Sequence, residues 1–342
     1  MSERISRRAC LARGLSLAGA ISFPWAARGN FIADWKLVDV RKIWDRGGHN
    51  AFTDLLHDGK RFYCCFREAD KHVPGLDGGI RILVSSDGDT WESDALIAEP
   101  TIDLRDPKLS LTPGGGLMLL AGGSIYAPGP AKGKSRTRTG MRGRVFFRQP
   151  DGGWTPPHPI SLEGEWLWRV TWHEGAAYGF SYDKGTALNL WKSKDGVNYE
   201  KVHEAKLPGA SSGGETTIRF KADGTAVALV RRDAKPRSTY YGESPTPYTA
   251  WSWRDLEYPI HGPNFLILPD GEMVYSGRVY EPQVKTTFGV LGAGKPAEKL
   301  VFPSGGDTSY PGMVWRDDAL WISYYSSHEK KTSIYLAKLK RA

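Results

Sequence analysis

Cysteine is nearly missing from this chain. Only Cys10, Cys64 and Cys65 occur among 342 residues, too few for a disulfide framework, and nothing has the ligand spacing of a zinc site. Cys64 and Cys65 are neighbours; on a strand they point to opposite faces and remain two free thiols. Long apolar runs are missing as well. Past the N-terminus no stretch reaches the ~18 consecutive apolar residues of a membrane span, so none is expected in the mature chain. Apolar residues at helical spacing are almost absent, which leaves strands as the building material. No Lys/Arg run tracks phosphates, and about half of the formal charge of +8 sits in the first 28 residues, which leaves no case for a nucleic-acid partner.

What the chain has in abundance is Gly (40 residues) and Trp (13), with 12% aromatics, a composition suited to many short strands joined by tight turns. Its first residues form a targeting pattern: Ser6-Arg7-Arg8-Ala9-Cys10-Leu11, then an apolar stretch from Leu15 to Ala27. Paired arginines ahead of a modest apolar region resemble a twin-arginine export signal. Residues 1–28 are therefore read as that signal, residues 29–342 as one domain, and the mature protein as periplasmic or extracellular.

Repetition defines the domain. Six copies of a strand, a turn rich in Asp and Gly, and a second strand open at His49, Arg105, Trp168, Glu215, Asn264 and Tyr310. A spacing of roughly 45 to 60 residues fits four-stranded antiparallel blades, and six copies predict an all-β, six-bladed β-propeller. The alternating segments Trp35–Val40 and Ser333–Leu339 are expected to pair and close the ring, which removes exposed edges. Innermost strands start at the axis, so His49, Arg105, Asp106, Arg169, Glu215, Asn264 and Tyr310 are expected to converge there.

Two hairpins share the form S-x-D-G-x-x-aromatic: Ser85-Ser86-Asp87-Gly88-Asp89-Thr90-Trp91 and Ser193-Lys194-Asp195-Gly196-Val197-Asn198-Tyr199. Asp151-Gly152-Gly153-Trp154 is a degenerate third. They resemble the Asp-box hairpins of sialidases, one residue shorter. Over most of the domain the chain is also similar to that family in order and spacing. Glu215-Thr216-Thr217-Ile218 with Asp223-Gly224 and Arg231 resembles its Glu-bearing strand and following Arg; Arg278 with Thr308-Ser309-Tyr310-Pro311-Gly312-Met313 resembles its last Arg and its Tyr segment.

The resemblance implies an exo-glycosidase that removes a terminal sialic acid or related acidic sugar with retention and without a cofactor or metal. Tyr310 would be the nucleophile and Glu215 its proton acceptor, with Asp70 or Asp77 as acid and base. Arg67, Arg231 and Arg278 would meet the substrate carboxylate, with His49, Asn50, Asn264, Arg105 and Asp106 as further contacts. The first repeat departs from the family: His49-Asn50-Ala51-Phe52 stands where its first carboxylate-binding Arg belongs, and Arg169 or Arg105 is the expected replacement.

Elementary chemistry points the same way. Converging guanidinium forks imply an anionic ligand, and they are expected to lower the Tyr310 pKa from ~10. A neutral nucleophile suits an anomeric carbon that already bears a carboxylate. Two alternatives stay open: a glycosidase or lyase of another acidic sugar working through Asp70, Asp106 or Glu215, and a propeller that binds sugar without turnover. Arg105 and Asp106 read equally as a brace of the second repeat.

Overall fold

Alternation and Asp/Gly turns build the same unit six times. The computed structural model describes residues 34–73, 75–128, 136–183, 188–210 and 212–342; the expected export signal, residues 1–28, lies outside them. Six four-stranded antiparallel sheets form the blades. Their innermost strands are His49–His57, Asp103–Leu111, Trp166–His173, Thr216–Phe220, His261–Ile267 and Thr308–Arg316. Each lies at or within a few residues of the repeat start read from the sequence, and the all-β, six-bladed propeller is the observed fold.

The sixth blade is made from both ends of the domain. Strand Trp35–Trp44 pairs with Ser333–Arg341, with Trp35 opposite Arg341, Leu37 opposite Leu339 and Trp44 opposite Ile334. The expected closure is therefore observed, and it runs four residues further at its inner end. Apolar side chains gather at the joints between blades rather than inside one core. Phe66, Trp321 and Leu336 fill the joint of the sixth and first blades, and Cys65, Leu104 and Phe146 fill that of the first and second. Cys64 packs in the former joint and Cys65 in the latter, both buried and unpaired, as their opposite orientation on one strand requires.

The hairpin motifs serve this packing. The Asp87 carboxylate accepts the amides of Asp89 and Thr90 at 2.8 and 2.9 Å, and Asp195 does the same for Val197 and Asn198. Tyr199 is thereby tucked into the joint of the second and third blades. At Asp151 only the amide of Gly153 is held, a reduced version of the turn.

Innermost strands splay apart at the axis, too far for a shared ladder, and side chains span the gaps. Thr53 Oγ1 donates to the Tyr310 carbonyl, Thr217 Oγ1 to that of Pro263, Asn264 Nδ2 to that of Pro311 and Thr171 Oγ1 to that of Ile218, at 2.6 to 2.9 Å. Among the described residues no helix is long and apolar enough to cross a membrane.

Candidate functional site

One end of the axis opens into a cavity of about 370 Å³, a size suited to a single sugar-like ligand. A repeated irregularity shapes its floor, and Phe52, Asp106 and Tyr310 line it as a result. Five of the six innermost strands carry one extra residue at the same place: between Ala51 and Asp54, Arg105 and Lys108, Leu167 and Val170, His261 and Asn264, and Ser309 and Gly312. Such a bulge leaves a residue unpaired and turns its side chain. The turned residues are Phe52, Asp106, Trp168, Gly262 and Tyr310; Phe52, Asp106, Gly262 and Tyr310 have φ of 64°, 49°, 59° and 52°. Pro107, Pro263 and Pro311 follow three of them, where a missing N–H costs no ladder bond.

Tyr310 lies on the cavity floor. Its ring meets Phe52, Trp168 and Tyr325 with centroids 5.1, 5.4 and 5.9 Å away. Its hydroxyl donates to Glu215 Oε1 at 2.5 Å, while Arg231 Nη1 donates to Glu215 Oε2 at 2.7 Å and to the Tyr310 oxygen at 3.0 Å. The Gly262 amide adds a bond to Glu215 Oε2 at 3.1 Å. Arg278 stacks over the Tyr310 ring at 5.5 Å and donates to Tyr325 Oη. The expectation of a lowered Tyr310 pKa is corrected here. Burial, reinforced by the Glu215 charge, outweighs Arg231 and Arg278 and holds the phenol well above its usual value. Tyr310 therefore rests as a neutral phenol, its hydroxyl bonded to the Glu215 carboxylate.

Gly262 is required on two counts. At its positive φ an L-side chain is strained, and an added Cβ would stand 3.0 Å from the Tyr310 ring. Gly262→Ala should lower stability by about 1–2 kcal/mol in a denaturant titration. Unchanged stability would show that the ring has room to yield.

A second group occupies the rim. Asp307 Oδ2 lies 3.2 Å from both His49 Nε2 and His72 Nδ1, and its Oδ1 accepts the Tyr325 hydroxyl at 2.8 Å. Burial alone would raise the Asp307 carboxyl, but the bonds from His49, His72 and Tyr325 hold it well below the usual range. The ligand atoms of His49, His72 and Asp307 are within 4.8 Å of one another. Two guanidiniums flank them, however: Arg105 Nη2 is 3.2 Å from His72 Nε2, and Arg278 is 3.6 Å from Asp307. Positive charge on both sides opposes a cation, and hydrogen bonds account for the cluster. Asp106, 9% exposed, lines the floor with its Oδ1 unpartnered; burial, only partly offset by Arg105 and Lys108, raises its pKa.

The sequence-derived set thus divides. Tyr310, Glu215, Arg231, Arg278, Arg105 and Asp106 line one cavity, and His49 reaches it through Asp307. Asp70 and Asp77, expected as acid and base, do not: Asp70 accepts the Leu76 amide at 2.8 Å within its own loop, and Asp77 pairs with Arg136 at 2.6 Å. Arg67 does not line the cavity either. It is 1% exposed, bonded to Asp103 at 2.8 Å and to the Lys71 carbonyl, and holds the loop after its strand. Asn50 bonds to the Gly47 and Thr332 carbonyls, and Asn264 bridges innermost strands. Arg169 faces the opposite mouth of the axis, paired with Asp54. Of the two candidates for the missing first-repeat Arg, Arg105 lines the cavity and Arg169 does not; Arg138 adds a further cation at the rim. His72, Asp307, Tyr325 and Arg138 were not legible beforehand. Asp307 had one available signal, its place three residues before Tyr310.

No family model and no curated protein sequence matches this chain. Solved structures do match it. A protein of unknown function from Dyadobacter fermentans DSM 18053 is 18% identical over 90% of this chain and 99% of that one, with a TM-score of 0.79. The NanB sialidase of Streptococcus pneumoniae is 12% identical over 89% of this chain and 70% of that one, with a TM-score of 0.64. Trypanosoma rangeli sialidase, also solved with sialic acid, is 11% identical; the match covers 85% of this chain but 55% of that one, with a TM-score of 0.62. At these identities the likeness establishes the sialidase-like propeller fold.

Proposed function

We propose that this protein is an exported exo-glycosidase that releases a terminal sialic acid or related acidic sugar with retention of configuration, through a covalent link to Tyr310. The observation that carries this reading is the 2.5 Å bond from the Tyr310 hydroxyl to Glu215, bridged by Arg231. Tyr310 would attack the anomeric carbon as Glu215 takes its proton, and water would later displace the tyrosine. A neutral phenol avoids the repulsion that a carboxylate nucleophile would meet at a carbon bearing its own carboxylate. Arg231, Arg278 and Arg105 supply planar, permanently charged donors for that group.

A panel of aryl glycosides of sialic, uronic and neutral sugars tests the reading, together with a fluorinated sialoside that traps the covalent intermediate. Turnover of the sialoside and added mass on a peptide containing Tyr310 are the expected results. Turnover confined to uronic or neutral sugars would instead favour a carboxylate mechanism, for which Asp106, its pKa raised by burial, is a ready acid. Sugar binding without turnover of any of them would favour a binding propeller.

Charge reading can be tested on its own. Arg231→Ala and Arg278→Ala should each weaken an acidic sugar by about 2–5 kcal/mol, the cost of losing one partner of a desolvated charge pair, while a neutral analogue loses little. Equal losses for both ligands would mean that these arginines only maintain the fold.

A further inference from the structure

We propose that His72, held by Asp307, is the group that protonates the departing oxygen and later deprotonates the attacking water. The proposal rests on the hydrolase reading above. An exo-acting pocket encloses the terminal sugar and leaves its aglycone at the mouth, so a proton donor to the linking oxygen belongs at the rim. Tyr310 and Asp106 are each 9% exposed and sit on the floor. The His72 side chain is 41% exposed and lines the same cavity, on the loop whose two carboxylates, Asp70 and Asp77, are turned away from it.

The surroundings of His72 suit proton transfer. Asp307 Oδ2 lies 3.2 Å from Nδ1 and stays anionic, so it pairs with the ring and stabilises an imidazolium, as an orienting carboxylate does. Asp307 lies three residues before Tyr310, so the rim group and the nucleophile are set by one strand start. Arg105 Nη2 lies 3.2 Å from Nε2, and a guanidinium can only donate. Nε2 therefore accepts from Arg105, and the ring proton sits on Nδ1 beside Asp307 Oδ2. The sugar carboxylate is the group able to draw Arg105 aside and leave Nε2 free to hold a proton. The other titratable groups facing the ring are His49, through the shared Asp307, and Asp106.

With the carboxylate bound and Arg105 drawn aside, Nε2 takes a proton from solvent, and the balance then closes over two steps. As the Tyr310 oxygen bonds to the anomeric carbon, Glu215 takes the phenolic proton, the glycosidic C–O bond breaks, and the leaving oxygen takes the proton from His72 Nε2. Water then attacks the same carbon, His72 Nε2 takes its proton, and the departing Tyr310 recovers its own from Glu215.

The test compares His72→Ala with the unaltered protein on two sialosides, one with a nitrophenyl and one with a sugar aglycone. Loss of the acid should cost about 10²–10⁴ in kcat/KM on the sugar aglycone, which needs protonation, and under about tenfold on nitrophenol, which does not. Azide, a nucleophile with no proton to remove, should restore turnover of the nitrophenyl substrate and give the glycosyl azide. Asp307→Asn should reproduce the aglycone-dependent loss in smaller degree. Equal loss on both aglycones, or no azide product, would overturn the role of His72 while leaving the hydrolase reading intact. Failure of the unaltered protein to cleave either substrate would overturn both.

Discussion

Tyr310→Phe should reduce turnover by at least about a thousandfold while ligand affinity and melting temperature stay close to those of the unaltered protein. The substitution removes one oxygen. The ring keeps its contacts with Phe52, Trp168 and Tyr325, and Glu215 keeps Arg231 and the Gly262 amide as partners, so no buried charge is stranded. Single-turnover kinetics with an aryl sialoside, beside a thermal melt and a binding isotherm, would check it. Glu215→Gln should come near the same loss for a different reason, because the phenol then has no base, and Arg231 loses a counter-charge. Near-normal activity in the Phe variant would move the chemistry to a carboxylate such as Asp106.

The largest stability effect is expected far from that cavity. Asp54, 1% exposed, receives both terminal nitrogens of Arg169 at 2.9 and 3.0 Å and the Leu109 amide at 2.9 Å. Buried Lys108 and half-buried Arg219 are the other cations near Arg169; burial, then the charge of Arg169, lowers both, Arg219 to about 9. Asp54→Asn would leave three cations without the anion that balances them and should cost about 3–5 kcal/mol in a urea titration. Replacing the pair together, Asp54→Leu with Arg169→Met, should recover only part of that loss, because Arg169 is no longer stranded while Lys108 and Arg219 still are. A single variant no less stable than the unaltered protein would show that water reaches and screens the pair.

The fold was legible because its signals are local and repeated. Turn residues such as Asp58-Gly59 and Asp270-Gly271 punctuate alternating strands, and six repetitions settle the blade count. Tyr310, Glu215, Arg231 and Arg278 were legible through the order of motifs along the chain. The bulges were not, since one extra residue leaves no mark on alternation; only the Asp106-Pro107, Gly262-Pro263 and Tyr310-Pro311 pairs hint at a strand interrupted where no N–H is needed. Arg67 was misread because charge on a strand end looks the same whether it faces a ligand or a loop. The loop wraps it through Gly78, where any Cβ would come within 2.6 Å of the Arg67 Nε. His72 sits in a loop without periodicity, and its chemistry appears only when Asp307, more than two hundred residues away, folds against it.

The pairing of Trp35–Trp44 with Ser333–Arg341 also sets a timetable. The first strand of the domain to leave the ribosome docks on the last one, and at ~5–20 residues per second the wait is on the order of tens of seconds. Five blades can form in that interval. The sixth cannot, and Tyr310, which opens it, reaches Glu215 only near the end of synthesis. A nascent chain or a C-terminally clipped product therefore carries an unpaired strand, which makes the final nine-residue strand the step at which the ring closes.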